Sequence, residues 1–261
     1  MVSSRTLLQI QPSVAAEKTT ALVVKVVDFS ETSKVATLFT RDWGKIGALA
    51  KGARRLRGPF EAGLDLLTVC RIVCIRKRSD SLDLLTEAEV IKRFRAREVG
   101  GYYAGCYVAE LLVELTEEDD PHERLFDAAV ETLDRLAERG YDPLTVLHFE
   151  LAALGEAGFL PTLDRCVVCG QEALSAARGF FGIAAGGVLC ANCRPGQSKV
   201  VSLSTGALRT LETLAASGGQ AWQRLQPGPG VLGEVRSIVS GCLTHVLGHP
   251  PRMLAILAKL T

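Results

Sequence analysis

Two pairs of cysteines constrain this chain more than any other feature of its sequence. Cys166 and Cys169 form one CxxC pair, and Cys190 and Cys193 form a second pair after twenty intervening residues. Each CxxC turn directs two thiolates toward one point, and two such turns at this separation are typical of a tetrahedral zinc site. Because four thiolates leave no coordination position for water, the predicted site is structural rather than catalytic. Two disulfides, or four unrelated core cysteines, are the alternatives to zinc.

The rest of the sequence favours metal binding over oxidation. The first ten residues contain neither a long apolar run nor a signal-peptide cleavage site, and no stretch approaches the roughly 20 apolar residues of a membrane span. We therefore expect a cytoplasmic protein, in which paired thiols bind metal more often than they form disulfides. The four remaining cysteines are isolated among apolar residues, which predicts core positions. They are Cys70, Cys74, Cys106 and Cys242.

The net charge of +1 conceals an uneven distribution of charge along the 261 residues. Residues 1–80 carry 14 Lys/Arg against 7 Asp/Glu, residues 81–164 carry 7 against 19, and residues 165–261 carry 9 against 3. This division predicts a basic N-terminal module, an acidic middle and surfaces with different partners. Chance and solvated helix faces explain the acidic middle better than they explain the basic module.

The N-terminal part has the pattern of a small β-barrel. Residues 1–20 are polar and aperiodic, which predicts a flexible arm, and five short β-branched runs separated by turn signals follow between residues 21 and 88. Gly47 and Gly52 lie where the strands of a small barrel bend sharply. We expect a five-stranded OB-type barrel over residues 21–88, and an SH3-like barrel is the alternative.

Basic residues of this module cluster in one loop and on the strands before it. A glycine-bounded loop carries four cations in seven positions, an arrangement that suits a phosphate-binding groove beside an OB sheet better than simple solubility. Trp43 and Phe39 offer stacking faces for bases, although Phe39 is more typical of barrel core. Arg76 to Arg78 form a second basic cluster. The cations of the loop and strands are Lys34, Arg41, Lys45, Lys51, Arg54, Arg55 and Arg57.

From Lys92 onward the apolar residues recur at helical spacings of three and four. Asp120-Pro121 and Asp142-Pro143 predict helix starts, and Ser204 predicts the cap of a later helix. The predicted fold is therefore an α+β multidomain protein, an N-terminal five-stranded OB-type β-barrel followed by an α-helical domain with an inserted four-cysteine zinc-binding element. We assign residues 89–160 and 200–261 to the helical domain and residues 161–199 to the zinc-binding insertion.

The sequence contains no recognisable catalytic constellation. It has no Walker loop, nucleophile elbow or dinucleotide-binding motif, and it has only four histidines. His148 lies in a leucine-rich segment and is more typical of helix packing than of a general base. His245 and His249 have a metal-binding spacing, but Gly248 interrupts the helix that this spacing requires.

Several segments identify a family in the order in which they occur. The barrel carries GKIGALAKGARR at residues 44–55, and GFLP at residues 158–161 precedes LDRCVVCG at residues 163–170. Together with YVAELL at residues 107–112, this order resembles the RecO family of DNA repair and recombination-mediator proteins. The resemblance extends from about residue 21 to residue 214, and the barrel loop and the LDRC segment are its most specific parts.

The resemblance implies a non-enzymatic protein with an OB fold, a helical domain and one structural zinc ion. Such a protein binds single- and double-stranded DNA, anneals strands and, with RecR, helps to load RecA onto DNA coated with single-strand-binding protein. It would act in the cytoplasm, at the nucleoid. The family's DNA contacts lie on the basic barrel face, which implies the seven cations named above. Two other classes stay open: a zinc-containing protein-interaction scaffold that binds an acidic partner, and a nucleic-acid enzyme.

Overall fold

The structure, a computed structural model, describes residues 16–55, 60, 64–77, 81–172, 178–216 and 219–259. A five-stranded barrel forms the N-terminal part. Its strands are β1 (Ala16–Asp28), β2 (Lys34–Thr40), β3 (Gly44–Ala50), β4 (Thr68–Ile75) and β5 (Asp83–Arg93).

The barrel closes in the strand order β1-β2-β3-β5-β4, with β3 and β5 parallel and β4 returning antiparallel to β1. This five-stranded Greek-key closure is the topology of the OB fold, so the predicted fold class is confirmed. β1 begins at Ala16, however, and residues 16–20, which the sequence assigned to an arm, pair with β4. Residues 16–18 are exposed, so the alternation of buried and exposed residues that identifies a strand begins only at Thr19.

The helical part contains six α-helices and one 3₁₀ helix among the described residues. The α-helices are α1 (Val99–Leu115), α2 (Glu123–Arg139), α3 (Pro143–Glu156), α4 (Thr205–Ala215), α5 (Pro229–Leu247) and α6 (Arg252–Leu257), and the 3₁₀ helix is Ala221–Arg224. Asp142 caps α3 by accepting the backbone N–H groups of Leu144 and Thr145 at 3.2 and 3.0 Å, as the sequence predicted. The hydroxyl of Ser204 caps α4 in the same way.

The predicted cap at Asp120 is wrong, because α2 begins two residues later, after His122. The backbone around Asp120 packs against the barrel instead. Gly44 adopts a φ of +74° there, and a Cβ on Gly44 would lie 2.0 Å from the carbonyl oxygen of Asp120. This close approach requires glycine and fixes the segment between α1 and α2 to the barrel.

A three-stranded antiparallel sheet lies between α3 and α4, in the order β7-β6-β8. Its strands are β6 (Arg178–Gly182), β7 (Gly187–Leu189) and β8 (Val200–Ser204). Phe181, Val188 and Leu203 from these strands are buried in the same hydrophobic cluster as the helices. The sheet therefore anchors the cysteine-containing segment to the helical part.

The barrel encloses a hydrophobic cluster of its own, and one of its sides also packs into the core of the helices. Leu22, Phe39 and Leu67 of the barrel belong to the helical cluster, and the Phe39 ring lies 6.3 Å from the ring of Phe126 in α2. Phe39 is thus a core residue rather than a stacking face. Among the described residues, no helix combines the length and apolar character that crossing a bilayer requires.

Candidate metal centre and nucleic-acid interface

The two CxxC segments form tight turns whose backbones are held by their own hydrogen bonds. The N–H of Gly170 donates to the carbonyl of Cys166 at 2.8 Å, and the N–H of Arg194 donates to the carbonyl of Cys190 at 3.1 Å. Gly170 has a φ of +72°, the left-handed conformation that reverses the chain after the first turn. Val167 donates to the carbonyl of Val188 in β7 at 2.9 Å, which brings the turns together.

The four thiols of these turns converge on one point. The sulfur atoms of Cys166, Cys169, Cys190 and Cys193 all lie within 4.8 Å of one another, and those of Cys169 and Cys190 are 3.7 Å apart. A disulfide requires about 2.05 Å, so none is formed between this pair. Four sulfurs bound tetrahedrally at about 2.3 Å from a zinc ion lie about 3.8 Å apart, so the donor set fits zinc.

The electrostatics of the cluster also suit a divalent cation. Burial raises the pKa of Cys166, but backbone N–H groups of Cys190, Cys169 and Val168 outweigh it and lower this pKa to about 6. Hydrogen bonds to Cys190 and Cys169, with the negative charge of Cys166, raise the pKa of Cys193 to about 12. The first thiolate therefore opposes ionisation of its neighbours, and a cation at the centre would remove this repulsion.

Four of the predicted DNA-binding cations lie together at one end of the barrel, which we call the open rim: Lys34, Lys51, Arg54 and Arg55. Lys34 begins β2 and pairs across the strands with Asp28 and Ala50, and Lys51 follows Ala50 directly. The backbone of Arg54 bonds to Thr32, and its guanidinium donates to the carbonyl of Ser30 at 3.0 Å. The basic loop is thereby held against the β1–β2 turn.

This turn carries an aromatic residue that the sequence analysis missed. Phe29 is 65% exposed at the tip of the β1–β2 turn, beside the loop that carries Arg54. Its position between Asp28 and Ser30, in a polar turn, was the signal that could have identified it, because a phenylalanine there has no strand face to bury. An exposed ring beside arginines provides a stacking face for a base.

Two of the predicted cations, Arg41 and Lys45, lie at the opposite end of the barrel, which faces the helices. Arg41 makes two hydrogen bonds to Asp127 at 3.1 and 3.0 Å and an ion pair with Glu123, both in α2. Its hydrogen bond to Asp127 raises the pKa of Arg41.

The ammonium of Lys45 donates to the carbonyl of Val113 at 2.6 Å and to that of Thr116, both at the C-terminal end of α1. Burial lowers the pKa of Lys45, although Glu117 and Glu118 act against this. Arg41 and Lys45 therefore join the barrel to the helices, and their assignment to the DNA-binding set stays a prediction. The sequence pattern alone gives no sign of these helix contacts.

The second basic cluster is also partly structural. Arg76 forms ion pairs with Asp83, at 2.7 Å, and with Asp119, and its guanidinium lies 5.0 Å from the centre of the Trp43 ring. Trp43 is half-buried under this contact rather than presented to bases. Arg57 and Arg78 lie outside the described residues.

Comparison with known proteins assigns both halves of the chain. Residues 14–94 match the N-terminal domain of recombination protein O, and residues 98–255 match its C-terminal domain. This chain belongs to the RecO family. The RecO resemblance in its sequence is thus confirmed, and DNA repair and recombination is its field of action.

Curated relatives of the RecO family match nearly the full length of the chain. The DNA repair protein RecO of Rhodopirellula baltica is 41% identical over 258 residues, covering 89% of this chain and 96% of that protein. That of Anaeromyxobacter sp. strain K is 36% identical over 237 residues, covering 89% and 92%. That of Salinibacter ruber is 33% identical over 250 residues, covering 93% and 94%. The link between the two RecO domains, residues 95–97, coincides with the connection from β5 to α1.

Proposed function

We propose that this chain is a DNA-binding recombination mediator whose primary DNA contacts lie on the open rim. It binds single- and double-stranded DNA, anneals complementary strands and, with RecR, helps to load RecA onto DNA coated with single-strand-binding protein. The observation that carries the proposal is the grouping of Lys34, Lys51, Arg54 and Arg55 at the end of the OB barrel away from the helices. It acts in the cytoplasm, at the nucleoid.

The chemistry of the rim supports phosphate contacts without sequence reading. Lys51, Arg54 and Arg55 are exposed, and each can neutralise one phosphate and release a counterion. The pairing of Arg54 with Asp28 is long, at 3.6 Å, and solvent-exposed, so it opposes phosphate binding only weakly. Phosphate contacts position a strand but carry no base information, as strand annealing at any sequence requires.

We further propose that Cys166, Cys169, Cys190 and Cys193 hold one zinc ion with a structural role. Zinc supplies the positive charge that lets four adjacent thiolates coexist and cross-links the two turns. Cys166 is 1% exposed, and Arg194, next to Cys193, places its guanidinium 4.2 Å from the centre of the Phe180 ring in β6. These contacts connect the metal centre to the sheet, which in turn packs against the helices.

The partners RecR and single-strand-binding protein are assigned to the helical part, and no enzymatic activity is proposed. The apolar surface at Phe159 and Leu160, which are 54% and 45% exposed, supports a protein-binding role there. A protein-binding test needs the whole chain, because β5 continues to Arg93 and a barrel fragment that ended before Arg93 would cut this strand.

The experiment that tests the function is annealing of complementary oligonucleotides, followed by fluorescence, with and without RecR. We expect the wild-type protein to accelerate annealing and the triple variant Lys51→Ala/Arg54→Ala/Arg55→Ala to lose most of this acceleration. Arg209→Ala/Arg224→Ala, which removes exposed cations from α4 and the 3₁₀ helix, is the control and should anneal as the wild type does.

Two results would count against the proposal. If the wild-type protein neither bound nor annealed DNA at low salt, the scaffold alternative, with an acidic protein as its partner, would replace it. If the rim variant annealed at the wild-type rate, the DNA-binding face would lie elsewhere on the chain.

A further inference from the structure

An arginine ladder lies at the junction of the barrel and the helices, far along β5 from the open rim. Arg93, Arg95 and Arg97 are exposed, whereas Phe94 and Ala96 between them are half-buried, so the segment presents its arginines on one side. β5 ends at Arg93 and the chain bends at Arg97, and the three cations follow one another on the exposed side of the segment.

The other side of this segment is fixed against α1. A Cβ on Gly105 would lie 2.8 Å from the Phe94 ring, so the ring packs directly on the glycine of the helix. Ala96 packs beside Gly101 in the same helix. These contacts hold the ladder in place, since its apolar residues cannot leave the helix without exposing themselves.

Aromatic residues lie beside the arginines. Tyr102, 48% exposed, and Tyr103 belong to the first turns of α1, with ring centres 6.0 Å apart, and they line an open groove of about 670 Å³ together with Phe94, Arg95 and Arg97. Val99, 62% exposed, extends the same helix face. The groove is therefore lined by cations and by aromatic rings.

The local charge favours an anionic ligand. Among the described residues, no carboxylate forms an ion pair with Arg95 or Arg97. Glu98 also lines the groove, but its carboxylate accepts the backbone N–H of Tyr141 at 2.7 Å and is thereby held at the turn after α2. The two guanidinium groups are thus available to phosphates.

We propose that this groove, the ladder groove, is a second nucleic-acid site and that its ligand is single-stranded DNA. A single strand carries phosphates and unpaired bases, which are the two chemistries that the arginines and the aromatic rings of the groove complement. In a duplex the bases are paired and stacked on one another, so stacking on the tyrosines adds no affinity for the duplex. The inference rests on the proposed DNA-binding function and extends it to strand preference.

The groove is at a distance from the open rim. β3 and β5 run parallel with Ala50 opposite Leu85, and Arg93 lies eight residues further along β5, a path of about 26 Å at 3.3 Å per residue. Either one strand extends over both sites, or two strands occupy one site each. The second arrangement would bring two strands to one molecule, as annealing requires.

Equilibrium binding of a labelled oligothymidylate and of a duplex of equal length, at several salt concentrations, tests the proposal. Arg95→Ala/Arg97→Ala should weaken binding of the single strand and make its log–log salt slope shallower by up to about 2, near one unit per lost contact. Tyr102→Leu should weaken single-strand binding about fivefold or more but leave duplex binding unchanged. Tyr102→Phe keeps the ring and should retain wild-type affinity.

Controls separate this proposal from the rim proposal. Arg209→Ala/Arg224→Ala removes the same charge elsewhere and should change neither affinity nor slope. If the ladder and Tyr102 variants bind the single strand as the wild type does, while Arg54→Ala/Arg55→Ala binds weakly, the ladder groove is refuted and the rim stands. If Tyr102→Leu weakens single strand and duplex equally, stacking is refuted. If the wild-type protein binds no DNA, both proposals fall together.

Discussion

The two ends of the barrel carry the same kinds of residue and use them differently. At the helix-facing end, Arg41, Lys45 and Arg76 are bound to carboxylates or carbonyls of the same chain. At the open rim, Lys51 and Arg55 are exposed, whereas the Arg54 guanidinium donates to the carbonyl of Ser30 at 3.0 Å and forms only a long ion pair with Asp28, at 3.6 Å. How far a basic residue of this barrel is available to DNA thus depends mainly on which end of a strand it occupies.

This difference changes the meaning of the charge division in the sequence. The basic module and the acidic middle suggested separate partners, yet Arg41 pairs with Glu123 and Asp127, and Lys92 pairs with Asp134, across the junction between them. Part of the opposite charge is therefore complementary within the molecule. The excess positive charge at the rim is the charge that a nucleic acid would contact.

The largest effect on stability is expected away from both ends, at the metal centre. Cys190→Ser should lose the metal and lower the unfolding temperature substantially, since structural zinc in small peptides is worth on the order of 10 kcal/mol of binding free energy. Elemental analysis and thermal unfolding measure the two losses. The folded fraction should bind DNA normally, because both barrel ends stay intact.

Cys106 is half-exposed and lies outside the thiol cluster, so it provides the control. The Cys106→Ser protein should retain the zinc ion of the four-cysteine site. The structural role would be excluded if Cys190→Ser lost its zinc but melted at the wild-type temperature. Wild-type protein purified without chelator should contain close to one zinc ion per chain.

A matched pair of lysines tests the comparison of the two ends directly. Lys45→Met leaves the carbonyls of Val113 and Thr116 without their donor, which should cost about 2 kcal/mol and lower the unfolding temperature by about 4–8 °C. Lys51→Met, on the exposed rim, should change stability by less than about 0.5 kcal/mol. DNA titrations should give the reverse order, with Lys51→Met the weaker binder. Equal effects of the two variants in both assays would abolish the distinction between the ends.

The salt dependence of DNA binding distinguishes the arginines in the same way. Replacing Arg54, Arg55 and Arg57 by Ala should make the log–log salt slope shallower by about 2–3, near one unit per lost phosphate contact. Arg41→Ala should leave the slope unchanged, because that guanidinium is held by Asp127 and Glu123. Fluorescence anisotropy across a salt series measures both. A slope change in Arg41→Ala as large as in this triple variant would instead support a DNA contact for Arg41.

The smallest effect concerns pH and separates the helical part from the barrel. Burial lowers the pKa of His148 from 6.5, although the ring bonds the carbonyl of Leu214 at 2.8 Å through Nδ1 and lies 4.3 Å from the Trp222 ring. Because the unfolded chain takes up this proton more readily, the contribution of His148 to stability is complete above pH 6.5 and is lost as the pH falls toward the lowered pKa.

We therefore expect the stability difference between the wild-type protein and His148→Gln to shrink as the pH falls below 6.5. Chemical unfolding at several pH values measures it, and comparison of the two proteins cancels any acid release of zinc. A difference that did not vary with pH would contradict the assignment. Rim binding should not follow this titration, since His148 lies in α3 and the rim belongs to the barrel.

Much of the architecture was predictable because its signals are local. Alternating β-branched runs identified the five strands, and the Asp142 and Ser204 caps fixed the starts of α3 and α4. Asp120 had the same local signal as Asp142 but does not cap, because its backbone is held against Gly44 of the barrel. The local pattern thus predicted the wrong helix start where a contact with a residue distant in sequence holds the segment.

The candidate sites also differ in whether local sequence or distant contacts determine them. The CxxC spacing determined that four thiols would meet, because each turn and the link between them are short in sequence, and the structure brings the sulfurs within 4.8 Å. The arginine ladder was also present as Arg-Phe-Arg-Ala-Arg, but its exposure depends on Phe94 packing over Gly105.

The sequence by itself determined the barrel, the helices and the thiol cluster, since hydrophobic period, turn residues and metal-ligand spacing act over a few residues. Only the tertiary structure decided which cations are available to a partner. Lys45 and Lys51 are six positions apart on one strand and its loop, yet one is half-buried against α1 and the other is exposed. Charge is a property of the side chain, whereas its availability depends on the groups that packing places within hydrogen-bonding distance.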